Sequence, residues 1–121
     1  MITISIDSTS PVPPFEQLRG QVAENIRSGR FKPGARLPTV RQLAGDLGIA
    51  PNTVARAYKA LEDEKLVQAR GRHGTKVVDS SDLPKTRRAD LLAEAARRYV
   101  SEARRLGADV DEALEAARRA T

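Results

Sequence analysis

Gly29-Arg30-Phe31-Lys32-Pro33-Gly34-Ala35-Arg36-Leu37-Pro38-Thr39-Val40-Arg41-Gln42-Leu43-Ala44-Gly45-Asp46-Leu47-Gly48-Ile49-Ala50-Pro51-Asn52-Thr53-Val54-Ala55-Arg56 is the stretch that decides the fold of this chain. Its first ten residues are a basic loop stiffened by two prolines and two glycines. Thr39 is a good N-cap, and Gln42 follows three residues later, which predicts a capping box. Val40, Leu43, Ala44 and Leu47 give the short helix that follows a buried side. Gly48 supplies a left-handed residue to end it, and Pro51 is pre-set for the first turn of a second helix. In that second helix Val54, Tyr58 and Leu61 face inward, which leaves Asn52, Thr53, Arg56 and Lys59 pointing out. Two short helices joined by a glycine-containing turn are the sequence form of a helix-turn-helix, whose second helix is built to lie in a DNA major groove.

The flanks supply support. Ile2, Ile4 and Ile6 alternate with Thr3 and Ser5, the pattern of a half-buried strand. Residues 8–14 hold three prolines and read as a connector. Phe15, Leu18, Val22 and Ile26 lie on one face of a helix whose C′ position suits Gly29. Downstream, residues 66–69 and 75–78 predict two short strands around Arg70-Gly71-Arg72-His73-Gly74, a basic hairpin. The fold class expected is mainly α with a small β-wing. A winged helix-turn-helix DNA-binding domain over residues 1–79 is followed by a helical tail over residues 80–121. In the tail a long helix from Lys85 to Leu106 is followed by one capped by Asp109 and Glu112. Two Ala-rich helices of this size make a poor core by themselves, so a second copy is the expected partner. The expected dimer interface comprises Leu91, Leu92, Ala95, Tyr99, Leu106, Val110 and Leu114.

Charge and composition narrow the class. The 121 residues carry a net charge of +5, which favours a polyanionic partner. The excess is local: residues 14–79 hold twelve Lys/Arg against seven Asp/Glu, and residues 80–121 hold nine against eight. There is no cysteine and a single histidine, so neither a disulfide nor a Cys-ligated metal is expected, and no metal or cofactor is assigned. No apolar run approaches the ~20 residues that span a bilayer, and no leader pattern opens the chain, so a soluble cytoplasmic protein without membrane contact is expected. No nucleophile–base pattern or phosphate-cradling loop appears, which argues against an enzyme.

The spacing Gly29-x3-Pro33-Gly34-x2-Leu37-Pro38-Thr39-x-Arg41-x-Leu43-Ala44 resembles the DNA-binding domain of the GntR family of bacterial transcriptional regulators. The run Pro51-Asn52-Thr53-Val54-Ala55-Arg56-Ala57-Tyr58, with Leu61-Glu62-x-Glu64-x-Leu66-Val67, is similar to its YtrA-like branch, whose members carry a short two-helix tail. The likeness covers residues 1–79 by motif and the tail by length and helical pattern. It implies a homodimeric repressor acting on an inverted-repeat operator, with a transporter operon that includes the regulator's own gene as target. Two departures stand out: Ala50-Pro51 replaces a common Ser-Arg, and Ala55 replaces a second Arg of the recognition helix. Gly71-Arg72-His73-Gly74-Thr75 fits the family's wing.

The residues expected to meet double-stranded DNA are Arg36, Thr39, Arg41, Asn52, Thr53, Arg56, Arg70, Arg72, His73 and Gly74. The resemblance makes Arg41 a DNA contact. Arg pairs with guanine and Asn with adenine in the major groove, at ~1–3 kcal/mol of discrimination each; Arg56 is the residue most expected to reach a base. Asn52 and Thr53 either contact DNA or satisfy backbone groups of their own turn. Arg36 contacts phosphate or bridges structure. Arg70 and Arg72 suit a narrow minor groove or phosphate. His73 is either a wing-tip contact or an exposed loop residue. Arg97-Arg98, Arg104-Arg105 and Arg118-Arg119 are expected to be solvated, ion-paired faces. The rival to a sequence-specific regulator is a non-enzymatic architectural or adaptor module that binds without sequence preference. A small-molecule effector, if the protein takes one, is expected at the dimer interface or between tail and winged helix.

Overall fold

The structure of the protein is a computed structural model, and it describes residues 4–71 and 74–121. Helix α1 spans Pro14–Arg27, α2 Val40–Leu47 and α3 Pro51–Asp63; strands β1, Val67–Ala69, and β2, Thr75–Val77, follow, and α4, Lys85–Arg105, and α5, Val110–Arg119, complete the chain. Contacts divide it into two compact units, Met1–Ser80 and Ser81–Thr121.

The core of the first unit is where the apolar spacings aim. Leu18 and Val22 of α1, Val54 and Leu61 of α3, and Val77 of β2 are all at most 1% exposed. Each contributes about 1.5–3 kcal/mol through burial. Ala23, Leu37, Leu43, Ala44, Ala57, Tyr58 and Val67 complete the cluster. Helix α2 starts as its sequence requires. Thr39 Oγ1 accepts from the Gln42 N–H at 3.1 Å, and Gln42 Oε1 accepts from the Thr39 N–H at 3.1 Å, so both halves of the box are formed. Gly48 ends α2 at φ 66°, a conformation glycine adopts without penalty. Pro51 opens α3 in its first turn.

One expectation is corrected. Ile2 and Thr3 of the expected strand lie outside the described residues, and the Ile4–Ile6 segment forms no strand. Its alternation persists, with Ile4 and Ile6 packed on the core, but its backbone bonds to side chains of α1. Ser5 donates to Gln21 Oε1 at 3.1 Å and accepts from Gln21 Nε2 at 2.7 Å. Asp7 bonds Gln17 in the same two-way manner. Two glutamine amides thus do what a neighbouring strand would do, satisfying an otherwise unpaired backbone. The Pro/Gly stretch is the loop expected, and it is tied to the wing. Residues 34–37 run beside β2, with an antiparallel bridge between Arg36 and Lys76. Leu37 N–H donates to Thr75 O and Val77 N–H to Ala35 O, both at 2.8 Å. The wing is therefore tied to the segment that leads into α2. Its own strands pair Val67 with Val77, Gln68 with Lys76 and Ala69 with Thr75, each strand one residue shorter than its sequence suggested.

In the second unit Asp109 and Glu112 form the expected capping box. Packing between α4 and α5 is slight. The buried residues are Ala103 and Ala113, and the Tyr99 hydroxyl donates to Ala113 O at 2.7 Å. Leu92, Tyr99, Leu106, Val110 and Leu114 remain 41–69% exposed, with Ala95 exposed and Leu91 half-buried. Helix α5 thus buries Ala113 rather than the Val110/Leu114 side. Arg105 pairs with Glu102, and Arg118 and Arg119 with Glu115. Among the described residues no ion pair engages Arg97, Arg98 or Arg104, so the expectation of paired arginine faces holds for only part of the tail. Among the described residues, no helix is long and apolar enough to cross a membrane.

Candidate nucleic-acid interface

The interface is best built from α3 outward. Ala50 precedes the helix in extended backbone and offers no side-chain cap, so the first-turn N–H groups of α3 have no capping side chain. Asn52 is exposed and Thr53 half-buried. Helix α3 is fixed from behind by Tyr58, whose hydroxyl donates to Pro38 O at 2.7 Å. That bond joins the recognition helix to the residue just before the Thr39 cap. Burial pushes the Tyr58 hydroxyl up to about 12, so it is a protonated donor at neutral pH. At the far end of α3, Glu64 takes Arg19 and Arg27 of α1. Bonding to Glu16 and Glu64 raises the Arg19 guanidinium above its ordinary value.

Helix α2 presents Arg41 in its first turn, exposed. Thr39 is committed to capping by its oxygen. Arg36 is exposed and projects from the bridge to β2, beside a shallow depression lined by Gln42 and Asp46 of α2. On the wing, Arg70 is exposed; its N–H donates to Gly74 O at 2.7 Å, and Gly74 N–H donates to Gly71 O at 3.1 Å. Gly74 holds φ 80°, which is why a glycine closes this loop. Arg72 and His73 lie outside the described residues.

Charges sort into two groups. Arg19, Arg27, Lys59 and Lys76 have acidic partners, Lys59 in Asp63 and Lys76 in Asp79. Among the described residues, no ion pair engages Arg30, Lys32, Arg36, Arg41 or Arg56, all of which are exposed. These five lie in the loop before α2 and on α2 and α3; Lys65, just after α3, is likewise exposed and outside any ion pair among the described residues. Arg30 and Lys32 carry no motif signal of their own; their exposure and freedom from acids appear only in the fold. Arg56 does have one partner: its guanidinium carbon sits 3.6 Å from the centroid of the Phe15 ring. Phe15 was expected to face the core, yet it stands outside the core cluster and the residues packed on it. Its spacing from Leu18 is the same in either role, so sequence could not separate them. Ala55 lines an open groove between α3 and the wing residues Ala69 and Thr75. Among the described residues no cluster of His, Asp or Glu is arranged to hold a metal ion.

A three-helix unit with a short hairpin after the recognition helix is a winged helix-turn-helix, and the gntR family model of bacterial regulatory proteins matches residues 14–77. The chain belongs to that family and is a transcriptional regulator with a winged-helix DNA-binding domain. It is 47% identical over 113 residues, 92% of this chain and 88% of the other, to the HTH-type transcriptional regulator Rv1152 of Mycobacterium tuberculosis. It is 40% identical over 78 residues to the HTH-type transcriptional repressor YtrA of Bacillus subtilis, covering 64% of this chain and 60% of that one. Among solved structures, YtrA from Sulfolobus acidocaldarius, a GntR-family transcription factor, superposes with a TM-score of 0.60 at 32% identity, covering 78% of this chain and 97% of that one. The YtrA-like character read from the 51–67 stretch agrees with these relatives.

Proposed function

We propose that the protein is a homodimeric, sequence-specific repressor that acts in the cytoplasm on an inverted-repeat operator. The observation that carries this reading is the set of exposed, acid-free arginines, Arg36, Arg41 and Arg56, around an α3 whose first turn offers Asn52 and Thr53. A duplex supplies phosphates and guanine edges for the former and base edges for the latter. Only three cations, Arg56, Lys59 and Lys65, accompany the α3 region, and Lys59 is neutralised by Asp63. A binder that relied on phosphate alone would need more charge there, which favours reading over architectural coating. The wing, through Arg70, Arg72, His73 and Gly74, meets the flanking backbone or minor groove.

Dimerisation is assigned to residues 80–121. Leu91, Leu92, Ala95, Tyr99, Leu106, Val110 and Leu114 form its seam, because a unit that buries little more than two alanines needs another surface. By resemblance the target is a transporter operon that includes the regulator's own gene, and any effector binds at the dimer interface. The test is a gel shift with DNA from upstream of the regulator's own operon against scrambled duplex of equal length. Preferential shift of the upstream DNA as a dimer is expected. Equal affinity for both would reject sequence reading, and a one-to-one protein–duplex complex would reject the dimer.

A further inference from the structure

We propose that Phe15 is a positioning residue of the DNA interface, holding the Arg56 guanidinium at the α1 edge of the recognition helix as a phosphate clamp. The inference rests on the DNA-binding reading and assigns to Phe15 a role that its helical spacing hides. Three observations carry it. The guanidinium carbon lies 3.6 Å from the Phe15 centroid, inside the ~6 Å range of cation–π attraction. Phe15 is half-buried and takes no part in the hydrophobic core, so the ring is not there to fill the interior. Among the described residues no carboxylate or hydrogen-bond acceptor engages Arg56, although Arg19 and Arg27 of the same helix pair are both spoken for by Glu64.

Among the described residues the five N–H donors of Arg56 meet no acceptor, and the ring holds the group that carries them. It also fixes where they are. Asn52 and Arg56 are four apart and share the outward face of α3, but the ring belongs to the first turn of α1. The guanidinium is therefore drawn off the centre of that face toward one flank. In a major groove the centre of a recognition helix meets base edges, and its flanks meet the sugar–phosphate strands. Base reading then falls to Asn52 and Thr53, and Arg56 supplies charge and register. A long side chain already held in place loses less freedom on binding than one that must be ordered.

The probe is a duplex enriched by the parent protein from a randomised pool, compared with a scrambled duplex, with affinity read by fluorescence anisotropy across a salt series. Phe15→Leu should weaken both duplexes by roughly three- to tenfold per winged helix, leave their ratio unchanged and keep the parent unfolding temperature. Phe15→Tyr should bind like the parent. Arg56→Ala should lower the slope of log affinity against log salt by about one per winged helix, and Phe15→Leu should add nothing in that background. Phe15→Met, which keeps the volume without a ring, repeats the test should the leucine variant unfold. The proposal is overturned if the Phe15 effect is equally large with and without Arg56, or if Arg56→Ala narrows the ratio between the duplexes. A parent that enriches no duplex defeats the DNA reading itself, which is a different outcome.

Discussion

Replacing Tyr58 by Phe should give a protein whose stability deficit disappears, and then reverses, as pH rises. Tyr58 is 7% exposed and its hydroxyl donates to Pro38 O at 2.7 Å. Removing the hydroxyl leaves that carbonyl without this donor, at a cost of about 1 kcal/mol at neutral pH. The parent carries a compensating liability. Its Tyr58 hydroxyl ionises at about 12 in the fold against 10.0 in the unfolded chain, because burial disfavours phenolate. The folded value is the raised one, so this stability is fully present below pH 10 and is lost as pH rises through 12. Two units correspond to about 3 kcal/mol in full, and about 1.4 kcal/mol is already gone at pH 11. The parent and Tyr58→Phe should therefore cross between pH 10 and 12. Urea unfolding followed by circular dichroism, at intervals from pH 8 to 11.5, measures the difference, and the lysines common to both proteins cancel in it. A gap that stays constant over this range would refute the argument that Tyr58 is buried neutral and bonded. The bond joins α3 to the lead-in of α2, so the variant also reports on how firmly the recognition helix is held.

Gly48→Ala should lower stability by about 1 kcal/mol, seen as a reduced melting temperature. Nothing lies within 4 Å of an added Cβ, so the cost is the φ of 66° alone. Arg41→Ala should weaken enriched and scrambled duplexes alike and reduce the salt slope by about one per winged helix in anisotropy titrations; an unchanged slope would remove Arg41 from the phosphate contacts. Leu92→Glu with Leu106→Glu should convert dimers to monomers in sedimentation while leaving helix content intact, since both side chains are more than 60% exposed in the isolated chain. A double variant that still sediments as a dimer would move the seam elsewhere.

Much of the DNA-binding unit was legible in the chain because its signals are local. Thr39 with Gln42, Gly48 and Pro51 act within one turn of where they stand, and each does in the fold what its chemistry requires. The periods of Leu18/Val22 and Val54/Leu61 select a buried face whatever that face meets. What failed was non-local. Alternation in Ile4–Ile6 could not show that Gln17 and Gln21 side chains, rather than a strand, would satisfy its backbone. A Pro/Gly-rich loop could not show that residues 34–37 would lie beside β2. Ala95, Leu106 and Ala103 share one apolar pattern along the tail, yet Ala103 is buried and the other two exposed, because contact with Ala113's helix uses only one edge of the stripe.

The chain alone thus determined the helices, their ends, the wing and the family, since caps, turns and periodicity are properties of neighbouring residues. Only the tertiary structure decided which arginines keep free charge and which are spent on Glu64. It alone placed Phe15 under Arg56 and tied Tyr58 to Pro38. These pairings span tens of residues, and their partners are chosen by how α1, α2 and α3 pack, which no local spacing encodes.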